Sequence, residues 1–500
     1  MDTQNSYKQV VKSFSLFGGV QVFDIIIGLV RSKILAVLLG ATGVGLSNLM
    51  QQPLNLIHTA TGLGLGFAGV RDIAAAKEKN DDEKISKTMV TVKRWAWVTG
   101  IFGTLVVIIF SPLLYKLTFN QEDIGIDYPF DYKHFIFLSV ILLFMAVSGG
   151  QTAILKGIRK LKDTAKTGLF GSFFGLILTI PLYYFYGIQG IVPALIVAAA
   201  INLFFSWYYS RKVKLMPVRI SYRQSFDDGM DMAKLGFLLS LSNLIGMLVI
   251  YLLSLFLNYY ANKFEVGLYM AGTSMTYRYV GLIFTAISID YFPRLVGLQS
   301  NREKMTEAVN QQSEVAILII APLMIIYTAF LPVIVKILNT SEFLPVIEFI
   351  RWFILGMLLR TVSWALGFIV LAKGDKGLFF WTETISSLLS LVLNVGGYLL
   401  FGLEGLGIAF VALYVVYFTM MTIISWKKYG FIFSKDFIKL FLFQFMICLM
   451  CFLLVYLKGY PFAYIGGTIL FVVSLFYSVK KLNERIDLKE IIRTKMLKKK

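Results

Sequence analysis

Three ionisable residues, Asp24, Arg31 and Lys33, lie inside the apolar run from Phe14 to Leu39, which is long enough to cross a bilayer. Charge at that depth is expensive, so the face carrying it must meet a partner helix or a wet cavity. Asp24 and Arg31 are seven residues apart and share a helical face, which leaves open a packing pair that simply locks two helices. Lys33 has no acid one turn away. Further along, His58 sits in LNLIHTATGLGLGF, Arg278 in SMTYRYVGLIF, Arg360 in GMLLRTVSWAL and Glu383 in FWTETISSL. Four cations and a histidine against two acids describe an anion site. A planar guanidinium donates two parallel hydrogen bonds to phosphate, and an imidazole near neutrality can be protonated by the ligand's charge. For His58 alone a core histidine is an equal reading. Arg71, Lys156, Arg294 and Lys373 lie at span ends and can snorkel; Arg351 is intermediate.

The elements that must position these residues are membrane helices. A chain of 500 residues that is 57% hydrophobic and only 15% charged belongs to the polytopic membrane class. Apolar runs of about 20 residues give fourteen candidate spans: 13–39, 44–70, 95–116, 134–155, 167–186, 190–210, 235–258, 267–290, 314–337, 347–372, 378–401, 405–426, 436–457 and 463–479. Segment 71–94 has seven basic residues against five acidic, 156–166 five against Asp163 alone, 211–234 six against three, and the tail 480–500 nine basic residues. The loop 117–133 is instead acidic, with Glu122, Asp123, Asp127 and Asp131. Basic loops stay cytoplasmic, so both termini are expected there. The net charge of +19 is then topology and contact with anionic lipid, and nucleic acid is disfavoured. Cys448 and Cys451, the only cysteines, are expected to be two packed thiols in an apolar run. A cleavable signal peptide is not expected, because the first apolar run carries charges and leads directly into another span.

The chain repeats itself. YYFYGIQGI around Tyr183 matches YLLFGLEGL around Tyr398, pairing Gly187 with Gly402 and Gly190 with Gly405 at an offset of 215. ILKGIRKLKDTAK at 154–166 is echoed by VLAKGDKG at 370–377, and VGL at 44–46 returns at 266–268, an offset of 222. The expected fold is therefore all-α and membrane-embedded, with about fourteen transmembrane helices. It divides into an N-terminal six-helix lobe over 1–210, a cytoplasmic linker over 211–234 and a C-terminal six-helix lobe over 235–427, followed by a hairpin over 428–479 and a basic tail over 480–500. Six spans per copy relate the lobes by an axis along the membrane normal, with a working cavity between them. His58 maps within one turn of Arg278 under this repeat.

No HExxH, Walker-type loop or clustered His/Cys set is present, and no outside loop much exceeds 117–133, so an enzyme, a metal site, a cofactor and ATP-driven transport are not expected. GLGLGF at 62–67, Pro53 and Pro322 mark places where helices can bend or pack closely.

RSKILAVLLGATGVGL at 31–46, ILKGIRKLKDTAK at 154–166, IDYFPRLVGL at 289–298 and FIVLAKGDKGLFFWTET at 368–384 together resemble the Wzx-type O-antigen flippases. These form the polysaccharide-transport branch of the multidrug/oligosaccharidyl-lipid/polysaccharide exporter superfamily. The resemblance covers about 1–427. It implies movement of an undecaprenyl-pyrophosphate-linked oligosaccharide from the cytoplasmic to the periplasmic leaflet by alternating access through a cationic cavity. By the same resemblance, Arg31, Lys33, His58 and Arg360 fall on basic positions of the family or its relatives, and Glu383 on a glutamate; Arg278 rests on the burial argument alone. Arg31, Lys33, Arg278 and Arg360 would hold the pyrophosphate with help from His58, while Asp24 and Glu383 orient the cations or carry a coupling H⁺ or Na⁺. The expected partners are the lipid-linked oligosaccharide, membrane lipids and a polysaccharide polymerase. The competing readings are a cation-coupled multidrug antiporter of the same fold, disfavoured because bases outnumber acids, a peptidoglycan-precursor flippase, and a membrane-embedded polymerase or ligase, disfavoured by the lack of a large outside loop.

Overall fold

The computed structural model describes residues 3–119, 129–213 and 216–486, with backbone alone for 3–25, 235, 238–239, 278–279, 282–283, 285–290, 293 and 485–486. Glu122, Asp123, Asp127 and the tail beyond 486, used above to orient the chain, lie outside the described residues. The described chain is helical throughout: α1 (Thr3–Thr61), α2 (Leu65–Glu78), α3 (Asp82–Thr118), α4 (Tyr132–Gly157), α5 (Leu161–Tyr186), α6 (Ile191–Ser210), α7 (Tyr222–Tyr260), α8 (Lys263–Gly297), α9 (Arg302–Ala329), α10 (Leu331–Leu338), α11 (Ile347–Ile350), α12 (Phe353–Ala372), α13 (Lys376–Tyr429), α14 (Lys435–Lys458) and α15 (Tyr460–Ile486). Among the described residues, ten helical stretches are long and apolar enough to cross a membrane.

A glycine at a left-handed angle divides three of those stretches. Leu161–Ser210 and Lys376–Tyr429 have 50 and 54 residues, about 75–80 Å of helix against a hydrocarbon layer of about 30 Å. They reverse at Gly187 (φ +53°) and Gly402 (φ +59°), and α1 breaks at Gly40 (φ +66°). A side chain would be strained at these left-handed angles. The repeated hairpins also match in their close approach. A Cβ on Gly190 would lie 2.2 Å from the Leu182 carbonyl oxygen, and one on Gly405 would lie 1.9 Å from that of Gly397; Leu182 and Gly397 stand at the same 215-residue offset.

A second matched contact joins α1 to α8. A Cβ on Gly45 would lie 1.9 Å from the Lys263 carbonyl oxygen, and one on Gly267 would lie 1.9 Å from that of Ala41. Ala41 pairs with Lys263 and Gly45 with Gly267 at the 222-residue offset of the VGL repeat, so the contact is reciprocal. Small residues let two helix backbones touch where lipid supplies no hydrophobic drive to bring them together.

Some span limits differ from the sequence reading. The span expected over 44–70 ends at Thr61, because Leu63 and Gly64 take left-handed angles and α2 starts afresh at Leu65. The α7 backbone crosses there, with Gly236 pressed against Gly64. The span over 314–337 is broken at Phe330 between α9 and α10, and the one over 347–372 begins as the short α11 before α12.

The chain resolves into two compact units, Met1–Met270 with Leu338–Thr340, and Ala271–Ile337 with Ser341–Lys500. In the first, Leu46, Met50 and Leu54 of α1 pack against Phe135 and Leu138 of α4 and Ile191 of α6. In the second, Leu295 of α8, Met305 and Val309 of α9 and Leu366 and Ile369 of α12 form the core. The α14–α15 hairpin is joined to this second unit. Gln444, fully buried, bonds Ser474 (2.7 Å) and Ser478 (2.9 Å), and the Cys448 and Cys451 thiols face the Ala321 and Ile325 carbonyls of α9. The two cysteines are packed and unbridged, as expected.

At the turn from α12 to α13, Asp375 accepts a short hydrogen bond from Tyr429 and lies 3.2 Å from Lys428. The Tyr429 hydroxyl foremost, and then Lys428, hold its carboxyl below the ordinary carboxylate value, against a smaller opposing effect of burial. A depressed folded value means this contribution is complete above the unfolded value, about pH 4, and is lost as pH falls through the lower folded value. Asp375→Asn should therefore flatten the acid limb of a melting-temperature profile and leave its slope near neutrality unchanged.

Candidate functional site

In the second unit, α12 carries Arg360 half-buried at mid-helix, beneath aromatic rings from two other helices. Its guanidinium carbon lies 4.4 Å from the Tyr277 ring centre and 5.5 Å from that of Phe284, both on α8, and 5.8 Å from that of Tyr414 on α13. Such contacts contribute roughly 0.5–2 kcal/mol each, but they satisfy charge without accepting the N–H groups in the usual way. Among the described residues the guanidinium has one hydrogen-bond acceptor, the Met357 sulfur at 3.8 Å, and no carboxylate in ion-pair range. Most of its five donors are therefore left for another acceptor, and a phosphate oxyanion matches them in charge and geometry.

Glu383, on the first arm of α13, accepts a 2.7 Å hydrogen bond from Tyr417 on the second arm. Tyr414 meets Tyr417 edge-on at 6.4 Å and feels both Arg360 and Glu383 electrostatically. The structure thus brings Arg360 and Glu383 into one aromatic cluster without pairing them directly. The Arg278 side chain, expected here, lies outside the described residues.

The first unit holds the other predicted residues, in two separate places. Arg31 lies beside the buried Tyr183 phenol near the end of α5. Lys33 donates a short hydrogen bond to the Asn339 backbone carbonyl, and Ser32 bonds the Asn339 side chain at 3.3 Å. Lys33 is thus partly engaged by a segment some 300 residues away that no local spacing announces. His58 sits beyond the break at Gly40, about 27 Å of helix further on, whereas Lys33 precedes the break by about 10 Å. It lines a cavity of about 210 Å³ with Thr59, Thr99, Ser240, Asn243 and the glycines at 62, 64 and 66. That wall is mostly apolar, with Leu65, Phe67, Val92 and Ala96 among its members, and it carries no acid. The Asp24 side chain lies outside the described residues.

One ionic cluster was missed by sequence reasoning. Arg351, read as intermediate, instead pairs with Glu404 at 2.6 Å, Glu404 also accepts from the Trp352 indole at 2.9 Å, and Arg351 lies over the Tyr456 ring at 4.6 Å. The signal was present in the repeat, where Glu404 replaces the equivalent Gln189. Because both partners are largely buried, Glu404→Gln should cost about 1–3 kcal/mol, read as a lower melting temperature in detergent. Adding Arg351→Gln should cost little more, since the two residues share one interaction.

Among the described residues no group of three His, Cys, Asp or Glu side chains is placed to hold a metal. Membrane hairpins matched across an internal repeat, with cations inside other spans at Arg31, Lys33 and Arg360, define a polytopic membrane protein. The chain belongs to the polysaccharide biosynthesis protein family, whose model matches residues 20–348. It is 25% identical over 419 residues to the lipid III flippase of Escherichia coli (strain K12), covering 80% of this chain and 95% of that one. In fold it is similar to the lipid II flippase MurJ in an inward closed conformation, with a TM-score of 0.69 at 14% identity, over 94% of this chain and 99% of that one. An inward-facing multidrug resistance MATE transporter of the MOP superfamily matches with a TM-score of 0.61 at 15% identity, over 80% and 94%.

Proposed function

We propose that the protein is a flippase that carries a polyprenyl-diphosphate-linked oligosaccharide, of the O-antigen repeat-unit type, from the cytoplasmic to the periplasmic leaflet of a bacterial inner membrane by alternating access. The observation that carries this reading is Arg360: a permanent cation inside a span, cushioned by rings, with its hydrogen-bond donors largely unspent. A lumen built for cationic drugs needs acids where this chain places a guanidinium. Arg31, Lys33, Arg278 and His58 are proposed to meet the diphosphate at other stages of its passage, with Asp24 and Glu383 orienting them or exchanging H⁺ or Na⁺. The basic loops support a cytoplasmic position for both termini, and a polysaccharide polymerase is the proposed consumer of the product.

A second reading, a peptidoglycan-precursor flippase, is favoured by the α14–α15 hairpin and by likeness to the lipid II flippase over nearly the whole chain. The deciding experiment reconstitutes the purified protein in liposomes and follows three labelled cargoes: a diphosphate-linked oligosaccharide, lipid II and a cationic dye. Transbilayer movement of the first supports the proposal. Movement of lipid II alone transfers it to the second reading, and movement of the dye alone overturns both.

A further inference from the structure

One end of the α5–α6 pair carries an arrangement that cargo transport leaves unused. Phe170 and Phe174 lie one turn apart on α5, and Phe205 and Tyr209 one turn apart on α6. The rows interleave: Phe170 stacks on Phe205 at 5.7 Å and on Tyr209 at 6.4 Å, and Phe174 stacks on Phe205 at 5.4 Å. This column fixes the register of the two helices, so the residues one turn beyond each row come to the same end. Those residues are basic. Lys162 and Lys166 extend the α5 side, and α6 runs out into Arg211 and Lys212; all four are exposed. The Lys160 ammonium donates to the Lys212 carbonyl at 3.5 Å, tying the turn before α5 to the turn after α6.

The cations are held against aromatic rings. Arg211 lies 4.8 Å from the Trp207 ring centre, and Lys212 lies 4.2 Å from that of Tyr208 and 4.9 Å from that of Tyr209. Stacking of this kind fixes a cation while leaving N–H groups open to an oxyanion. No ion pair among the described residues uses Lys162, Lys166, Arg211 or Lys212, and Asp163 is the one acid of the 156–166 turn. Beside them, Phe204 lies against the Trp207 and Tyr208 rings and all three are exposed, as are Phe173 and Ile177 on α5.

We propose that this end is a retained binding site for an anionic glycerophospholipid such as phosphatidylglycerol. Its phosphodiester would rest on Lys166, Arg211 and Lys212, and its acyl chains along the aromatic shelf. Concentrated positive charge selects the anionic headgroup, and the adjoining apolar shelf selects a lipid over a soluble anion. The site is independent of the identity of the cargo.

Native mass spectrometry of the full-length protein, titrated separately with phosphatidylglycerol, phosphatidylethanolamine and inorganic phosphate, tests this. One phosphatidylglycerol should persist under activation that strips phosphatidylethanolamine. Lys166→Ala/Arg211→Ala/Lys212→Ala should weaken its retention about tenfold or more, the order expected for removing three surface cations. Lys79→Ala/Lys84→Ala/Lys427→Ala, an equal loss of charge elsewhere, should leave retention unchanged. Trp207→Ala/Tyr208→Ala, which keeps every charge, should also weaken it, and decides the matter should the first variant not fold. Undiminished retention in both site variants, equal weakening by the control, equal retention of phosphatidylethanolamine, or equally tight inorganic phosphate would each overturn the proposal. Displacement of phosphatidylglycerol by equimolar undecaprenyl phosphate would overturn it too, by assigning the surface to the cargo.

Discussion

Arg360→Ala should abolish surface glycan export in a strain that depends on this protein, with the variant present in the membrane at nearly its normal level. Truncating a desolvated cation that binds an oxyanion typically costs about 2–5 kcal/mol, a loss of roughly thirtyfold to several thousandfold. The fold should survive, because the guanidinium makes ring contacts and one weak sulfur contact and leaves no buried carboxylate behind when removed. Arg360→Lys is the informative companion. A lysine keeps the charge but loses the planar fork and the stacking on Tyr277, so it should restore export only partly. Polysaccharide immunoblots beside a membrane-fraction blot give both quantities. Full export by the alanine variant would remove Arg360 from the cargo path. Tyr277→Leu should fall between the two, since it removes the nearest ring, at 4.4 Å, and keeps the charge.

The second large effect is on assembly. Gly45→Val would drive a branched side chain into the Lys263 carbonyl, already only 1.9 Å from where a Cβ would sit, with the Gly267 nitrogen at 2.9 Å. No rotamer relieves a clash at Cβ, so α1 and α8 must separate. Overpacking of this kind costs about 1–3 kcal/mol in ordinary cores, and more where the obstacle is backbone that cannot rotate away. Folded yield by fluorescence-detected size exclusion should fall severalfold, and Gly267→Val should behave alike because the contact is reciprocal. Gly246→Ala, at a position on α7 with open space around it, should leave the yield intact. Normal yield from Gly45→Val would mean that the two backbones do not touch there.

What the sequence made legible follows from how locally each feature is encoded. The turns at Gly187 and Gly402 were readable because left-handed backbone demands glycine and the duplication displays the demand twice. Arg360 and Glu383 stood out because charge inside an apolar run is anomalous without any knowledge of the fold. The sheath around Arg360 was hidden, since Tyr277 and Tyr414 belong to helices whose apposition no periodicity specifies. The hold of Asn339 on Lys33 was hidden for the same reason, a bond spanning 306 positions. The limit of the span over 44–70 was misjudged because leucine and glycine alternate through GLGLGF and keep hydropathy high, while Leu63 and Gly64 turn the backbone out of the helix. Glu404 was legible in principle, as a glutamate standing where the other repeat has a glutamine, but its value depends on Arg351 arriving from another helix.

Cys448 and Cys451 are wholly covered, with their sulfurs turned toward α9. A water-borne maleimide therefore finds no target on the native chain, which makes it a ready background for single-site tagging with nothing removed beforehand. A reporter thiol placed at Lys160, and another at Gln189 in the reversal between α5 and α6, would react from opposite faces of intact cells and opened vesicles. Sidedness thus becomes a direct chemical readout on a protein otherwise unaltered.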